Sequence, residues 1–244
     1  MKRLADYSQN FLQSPQLVQE LISRSSLNRH DTVYDIGAGS GVISSVLASR
    51  VNKVIAIEFD TRIAETLKRN MARYENVEII VGDFLKLQLP KTPYKVFANI
   101  PFHLSSPIIQ RFINSDTSPE AAYLVVQKQF GRKLVATDTT HFTSQLGMLI
   151  GAEYEVKIAR NLKKTDFFPH PAVETVFIEL YKRKQPLIEK SRLKAYETFT
   201  AECFADRNKL AKMPLDVIGQ TAGFSPSRIS LEKWVLLFNS QNRY

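Results

Sequence analysis

From residue 32 to residue 180, short apolar runs alternate with stretches in which apolar positions recur every three or four residues. The first pattern reads as buried strands, the second as amphipathic helices. Runs at 32–36, 53–57, 77–81, 94–98 and 121–126 predict five strands, with helices at 41–51, 61–73 and 105–113. That alternation predicts a parallel sheet with helices on both faces. After the fifth run the rhythm changes. Residues 142–150 look helical, and 154–160 and 175–181 look like two strands joined by a long loop. Lys182-Arg183-Lys184-Gln185-Pro186 reads as a linker, and everything beyond it is strand-poor and helical. The expected class is α/β, with a main domain over 1–182 and a small all-helical C-terminal domain over 183–244.

Composition narrows the partners more than the fold. The formal net charge of +9 makes a polyanion, usually nucleic acid, a candidate partner, although a merely basic surface would give the same figure. The single cysteine, Cys203, allows no internal disulfide and fits a reducing compartment. His30, His103, His141 and His170 are scattered without metal-ligand spacing, so no metal is expected. Met1-Lys2-Arg3 is followed by no apolar signal core, and no run approaches the roughly 18 apolar residues of a membrane span. A cytoplasmic protein is expected.

The chemistry lies at the ends of the predicted strands. Asp35-Ile36-Gly37-Ala38-Gly39-Ser40-Gly41 joins the first strand to its helix. Glycines let the backbone turn tightly and approach a ligand, and open α/β sheets bind ligands beyond the strand ends. Alone, this could be a plain connection. The second strand ends on Glu58, which can accept hydrogen bonds from ribose hydroxyls. Gly82-Asp83-Phe84 follows the third, where Asp83 can accept from an adenine amino group and Phe84 can cover the ring. The turn is Gly-x-Gly-x-Gly rather than the dinucleotide Gly-x-Gly-x-x-Gly, which needs a pyrophosphate at the helix start. S-adenosylmethionine has no phosphate and carries an ammonium-bearing tail, which Asp35 is placed to approach. It is the expected cofactor.

Asn99-Ile100-Pro101-Phe102 follows the fourth strand. An adenine amino nitrogen is a poor nucleophile because its lone pair is delocalised into the ring. The Asn99 side-chain oxygen and the Ile100 carbonyl can accept its two N–H bonds and aim the lone pair at a methyl carbon. Pro101 fixes the backbone, and Phe102 can stack on the base for roughly 1–3 kcal/mol. In isolation the tetrapeptide would be a turn. Behind a glycine turn, Glu58 and Asp83, in that order, it is specific.

These motifs resemble the rRNA adenine dimethyltransferase family. Ser8-Gln9-Asn10-Phe11-Leu12, Glu58-Phe59-Asp60, Gly82-Asp83, Asn99-Ile100-Pro101-Phe102 and Phe167-Phe168-Pro169-His170-Pro171-Ala172-Val173 match its motifs in order. The resemblance implies a Rossmann-like S-adenosylmethionine-dependent methyltransferase domain followed by a helical RNA-binding domain. It implies Asn10, Leu12, Gly37, Gly39, Glu58, Asp83, Phe84 and Asn99 around the cofactor. It assigns catalysis to Asn99, Ile100, Pro101 and Phe102, and the flipped target base to Phe102 and Phe167. Apart from the family, Asn10-Phe11-Leu12 reads as a helix start and Phe167-Phe168 as core.

Ile100 and the short C-terminal part point to the erythromycin-resistance branch of that family. The implied reaction is methylation of an adenine amine in unassembled 23S rRNA, by a monomer, with macrolide-lincosamide-streptogramin resistance as its consequence. The alternative is the housekeeping branch acting on 16S rRNA; a remoter one is a non-catalytic RNA-binding or transcription factor on the same fold. Phe102 departs from the family's commoner Tyr, keeping the ring and losing the hydroxyl. Expected RNA contacts are Arg111, Lys128, Arg132, Lys133, Lys190, Arg192, Lys194, Arg207, Lys209 and Lys212.

Overall fold

The computed structural model describes residues 10–135, 143–220 and 225–241. Ser8 and Gln9 of the first motif, and residue 142 at the start of an expected helix, lie outside the described residues. The elements in chain order are β1 (Phe11–Leu12), α1 (Pro15–Ser23), β2 (Thr32–Ile36), α2 (Val42–Ala48), β3 (Lys53–Glu58), α3 (Thr61–Met71), β4 (Val77–Val81), β5 (Lys95–Asn99), α4 (Ser105–Asn114) and β6 (Ala121–Gln127). Then follow α5 (Lys128–Leu134), α6 (Gln145–Glu153), β7 (Tyr154–Leu162), β8 (Phe167–Phe168), β9 (Thr175–Lys182), α7 (Lys190–Ala205), α8 (Arg207–Ala211) and α9 (Leu231–Ser240).

Seven strands form one sheet in the order β4-β3-β2-β5-β6-β9-β7. β4, β3, β2, β5 and β6 run parallel, and β9 pairs antiparallel with β6. The chain order reverses between β2 and β5, so the ends of these strands flank the crevice where such sheets bind ligands. The central strands are apolar on both faces: β6 is buried from Ala121 to Val126, as expected of parallel strands covered on each side. On one face Val18, Leu21, Ile43 and Leu47 of α1 and α2 pack with Val33, Phe97, Tyr123 and Phe177 in a single core. Each such side chain contributes roughly 1.5–3 kcal/mol on burial.

A second, two-stranded ribbon joins the N-terminal motif to the distant proline loop. Phe11 pairs with Phe168 and Leu12 with Phe167. Asn10-Phe11-Leu12, which reads as a helix start only apart from the family, does not begin one: the helix begins at Pro15, where the Ser14 hydroxyl accepts from the Leu17 amide at 3.2 Å. Ser14 is the better cap, with a proline at the first helical turn behind it.

The chain divides into two compact units: Met1–Lys128 with Ile158–Tyr181, and Gln129–Lys157 with Lys182–Tyr244. A single cut at 182/183 therefore leaves out one excursion: residues 129–157 group with the C-terminal residues. The second unit is largely helical around Trp234, whose ring meets Phe199 edge-on at 5.7 Å and stacks with Phe204 at 5.5 Å.

Candidate active site

The glycine turn between β2 and α2 is dictated by its backbone. Gly37 and Gly39 have φ of +75° and +59°, a region that costs an L side chain roughly 1–2 kcal/mol. Space is also closed. A Cβ on Gly39 would lie 2.7 Å from the Phe11 ring, and one on Gly37 would lie 3.3 Å from Pro101 Cδ. The turn is thus pressed between the N-terminal motif and the Asn99-Ile100-Pro101-Phe102 turn. The amides of Gly37 and Ala38 both donate to the Ile57 carbonyl, at 2.8 and 2.9 Å.

Glu58 ends β3 beneath this turn. Its Oε2 accepts from the Gly39 amide at 2.8 Å and its Oε1 from the Asp60 amide at 2.9 Å. Two backbone donors hold the buried carboxylate in one orientation, and each oxygen keeps further acceptor capacity. Asp83 follows β4, and its Oδ1 accepts from the Leu85 amide at 2.9 Å. Phe84 is buried, meeting Phe112 edge-on at 6.3 Å.

Asp35 does not reach a ligand. It is fully buried outside the cavity, and the Ser44 hydroxyl donates to its Oδ2 at 2.7 Å. Burial pushes its carboxyl up to about 7; the Ser44 bond opposes that shift and the Glu58 charge adds to it. Asp35 supports the turn from below rather than meeting a cofactor tail, because its side chain points into the core.

Asn99 is the last residue of β5, and its side-chain amide donates to the Asn10 carbonyl at 2.5 Å. Among the described residues no donor is placed on its Oδ1, which keeps its acceptor capacity. Phe102 is half-buried and opens a single helical turn, Phe102–Leu104, that runs straight into α4.

These groups share one cavity of about 270 Å³, lined by Asn10, Gly37, Glu58, Asp83, Phe84, Asn99, Ile100, Pro101 and Phe102 among others. Three expected residues are elsewhere. Leu12 and Phe167 are 3% and 0% exposed and belong to the hydrophobic core, because as ribbon partners they face its buried side. Gly39 acts behind the lining through its bond to Glu58. Sequence reasoning missed Phe11, His103, Leu104, Ile36, Ile57, Ile108 and, above all, Phe59, which lines the cavity while 73% exposed. An aromatic residue directly after the strand-end acid was the available signal. Among the described residues no cluster suited to a metal occurs, and no helix is long and apolar enough to cross a membrane.

Several expected RNA contacts have other engagements. Arg111 is bonded to the carbonyls of Leu85 and Leu87. Lys128 pairs with Glu174 at 3.0 Å, Lys194 with Glu197 at 2.6 Å and Lys209 with Glu202 at 3.1 Å. Arg192 bonds Asn239 and lies 4.7 Å over the Phe238 ring. Arg132, Lys133, Lys190, Arg207 and Lys212 are exposed.

The model of a family described as ribosomal RNA adenine dimethylase matches residues 2–225. An rRNA adenine N-6-methyltransferase of Lysinibacillus sphaericus is 31% identical, covering 96% of this chain and 94% of its own. Ribosomal RNA small subunit methyltransferase A of Levilactobacillus brevis is 31% identical, covering 82% and 71%. The crystal structure of 23S rRNA methyltransferase ErmE matches with TM-score 0.83 and 26% identity, over 96% of this chain and all of that one.

These findings correct the assignment to the erythromycin-resistance branch. Six relatives, from Levilactobacillus, Thermococcus and Listeria, carry the small-subunit name, whereas two carry the broader rRNA adenine N-6-methyltransferase name. Ile100 could not decide the matter, because its side chain is buried and an Ile-for-Leu exchange there conserves volume. The non-catalytic alternative also falls, since family and structural matches agree on an rRNA adenine N6-methyltransferase. The cofactor is S-adenosylmethionine. The residues present fit it: a cavity walled by a glycine turn with no Cβ in the way, and a fixed carboxylate with acceptor capacity to spare. From the sheet, the site and the matched 2–225 segment together, the chain belongs to the ribosomal RNA adenine dimethylase family.

Proposed function

We propose that this enzyme methylates the exocyclic amine of an unpaired adenine in the RNA of the small ribosomal subunit. The observation that carries the chemistry is Asn99: its amide is committed to the Asn10 carbonyl while its Oδ1 is left as an acceptor at the cavity wall. Bound S-adenosylmethionine supplies an electrophilic methyl on a sulfonium. Gly37 leaves room for the amino-acid tail, Glu58 accepts from the ribose hydroxyls, and Asp83 accepts from the adenine amine. The Asn99 Oδ1 and the Ile100 carbonyl accept the two N–H bonds of the target, so that its lone pair faces the methyl. Alignment and fixed dipoles carry the rate. Transfer would break the methyl–sulfur bond as the methyl–nitrogen bond forms, leaving a neutral thioether and moving the positive charge to the target nitrogen. That nitrogen would then release one proton to solvent, so no strong general base has to act before the transfer.

Phe102 stacks on the target base. The proline loop contributes its exposed ring: Phe168 is 67% exposed and sits opposite Phe11, on the face of the ribbon away from the core. A target held in a duplex must first leave its stack, at a cost of a few kcal/mol. The small-subunit reading is supported by the six relatives of that name. Tritiated methyl transfer to purified small- and large-subunit RNAs, mapped by primer-extension arrest, tests it. Label on adenines of the small-subunit RNA is expected; label confined to large-subunit RNA overturns the substrate.

A further inference from the structure

We propose that Arg111 is a positioning residue for cofactor binding, and that it acts by clamping the 83–87 loop onto α4. The sequence alone places it among cations available to RNA phosphates. Its surroundings are different. The two terminal nitrogens of the guanidinium donate to the main-chain carbonyls of Leu85 and Leu87. The same group lies 5.6 Å over the ring of Phe84. Phe84 in turn meets Phe112, the residue after Arg111, edge-on at 6.3 Å.

The clamped loop is the wall of the cavity. Asp83, Phe84 and Leu85 all line it, and Asp83 is already tied to the loop by accepting from the Leu85 amide. The loop forms one capped helical turn, Phe84–Lys86, whose own bonds use the Asp83 and Phe84 carbonyls; those of Leu85 and Leu87 are taken by Arg111. A planar guanidinium can bond two carbonyls at once and stack on an aromatic face, which a lysine ammonium cannot do in the same geometry. Arg111 therefore fixes the direction of the Asp83 carboxylate and the plane of Phe84.

The helix makes this a link between the two halves of the site. α4 starts directly after the Phe102–Leu104 turn and carries Arg111 near its other end. One rigid helix thus holds the target-binding turn at its N-terminus and the cofactor wall near its C-terminus. A guanidinium committed to two carbonyls and a ring is not presented to a phosphate. The inference rests on the reading that Asp83 faces the cofactor, so the experiment tests both separately.

Titration calorimetry with S-adenosylmethionine is run on wild type, Arg111→Lys and Asp83→Ala, alongside RNA binding at several salt concentrations. Arg111→Lys keeps the charge and loses the fork. It is expected to weaken cofactor binding roughly tenfold, with RNA affinity and its salt slope unchanged. A merely structural role would not separate the two ligands. Unchanged cofactor affinity in Arg111→Lys, with Asp83→Ala impaired, overturns the clamp and leaves the site reading standing. Unchanged affinity in Asp83→Ala overturns the site reading and the clamp with it. Arg111→Ala, which removes the charge, is measured beside Arg111→Lys: a fall in its RNA affinity with a salt slope lower by about one, and cofactor binding intact, makes Arg111 a phosphate contact and overturns the proposal. Should Arg111→Lys not fold, Phe84→Leu keeps the guanidinium and removes the ring beneath it; it must weaken cofactor binding in the same sense, and unchanged binding overturns the clamp.

Discussion

The side-chain amide of Asn99 and the main-chain carbonyl of Asn10 are joined across 89 residues by a 2.5 Å hydrogen bond. The bond commits the nitrogen end of the Asn99 amide, and under the proposed function leaves the oxygen end for the target. Asn99→Ala removes the acceptor and is expected to lower methyl transfer by roughly 10²–10³-fold, by analogy with loss of one preorganised polar contact to the reacting group. Asn99→Asp keeps an acceptor but sets a carboxylate against the Asn10 carbonyl, and is expected to be equally impaired. Single-turnover transfer of labelled methyl, with circular dichroism to confirm folding, measures both. Wild-type turnover in Asn99→Ala would remove it from the mechanism.

Gly39 cannot be replaced quietly. A methyl there would press on Phe11 at 2.7 Å from a left-handed backbone. Gly39→Ala should cost about 1–3 kcal/mol in denaturant unfolding. It should also weaken S-adenosylmethionine binding in calorimetry, because its amide orients Glu58.

Phe167 and Phe168 should separate cleanly. Phe167→Ala empties a core site and is expected to cost about 3–5 kcal/mol of stability. Phe168→Ala should leave stability within about 0.5 kcal/mol of wild type. Its effect should appear as a higher KM for RNA, of the size expected for one stacked base, about 1–3 kcal/mol. Equal melting temperatures for the two variants would contradict the register of the ribbon.

Asp35 predicts a pH dependence. Its carboxyl is raised to about 7 by burial, against 3.8 as the reference value. The folded protein therefore binds the proton more tightly than the unfolded chain between those values. The stability this provides is full below the reference value and is lost as pH rises through about 7. Unfolding of wild type and Asp35→Asn from pH 5 to 8 should show the wild type declining relative to the variant. Parallel curves would show that Asp35 does not titrate in this window.

Much of the site was legible because its constraints are local. Gly37 and Gly39 are required by backbone shape, and Glu58, Asp83 and Asn99 sit at strand ends where the alternation of the chain places them. Arg111, Leu12 and Phe167 were misplaced for the opposite reason. Each is defined by a partner far along the chain: Leu85 and Leu87 for Arg111, and the ribbon for the other two.

By itself the sequence determined the five parallel strands from β2 to β6 and the helices α2, α3 and α4 between them, the glycine turn, and the Asn99-Ile100-Pro101-Phe102 tetrapeptide at the end of β5. Periodicity and backbone restriction act over a few residues and can be read without a partner. Only the tertiary structure decided which face of Phe167-Phe168 is buried, that residues 129–157 group with the C-terminal helices, and that Arg111 is occupied by main-chain carbonyls. A two-residue strand has no period to read, and a hydrogen bond between distant segments is fixed only when the sheet brings them together.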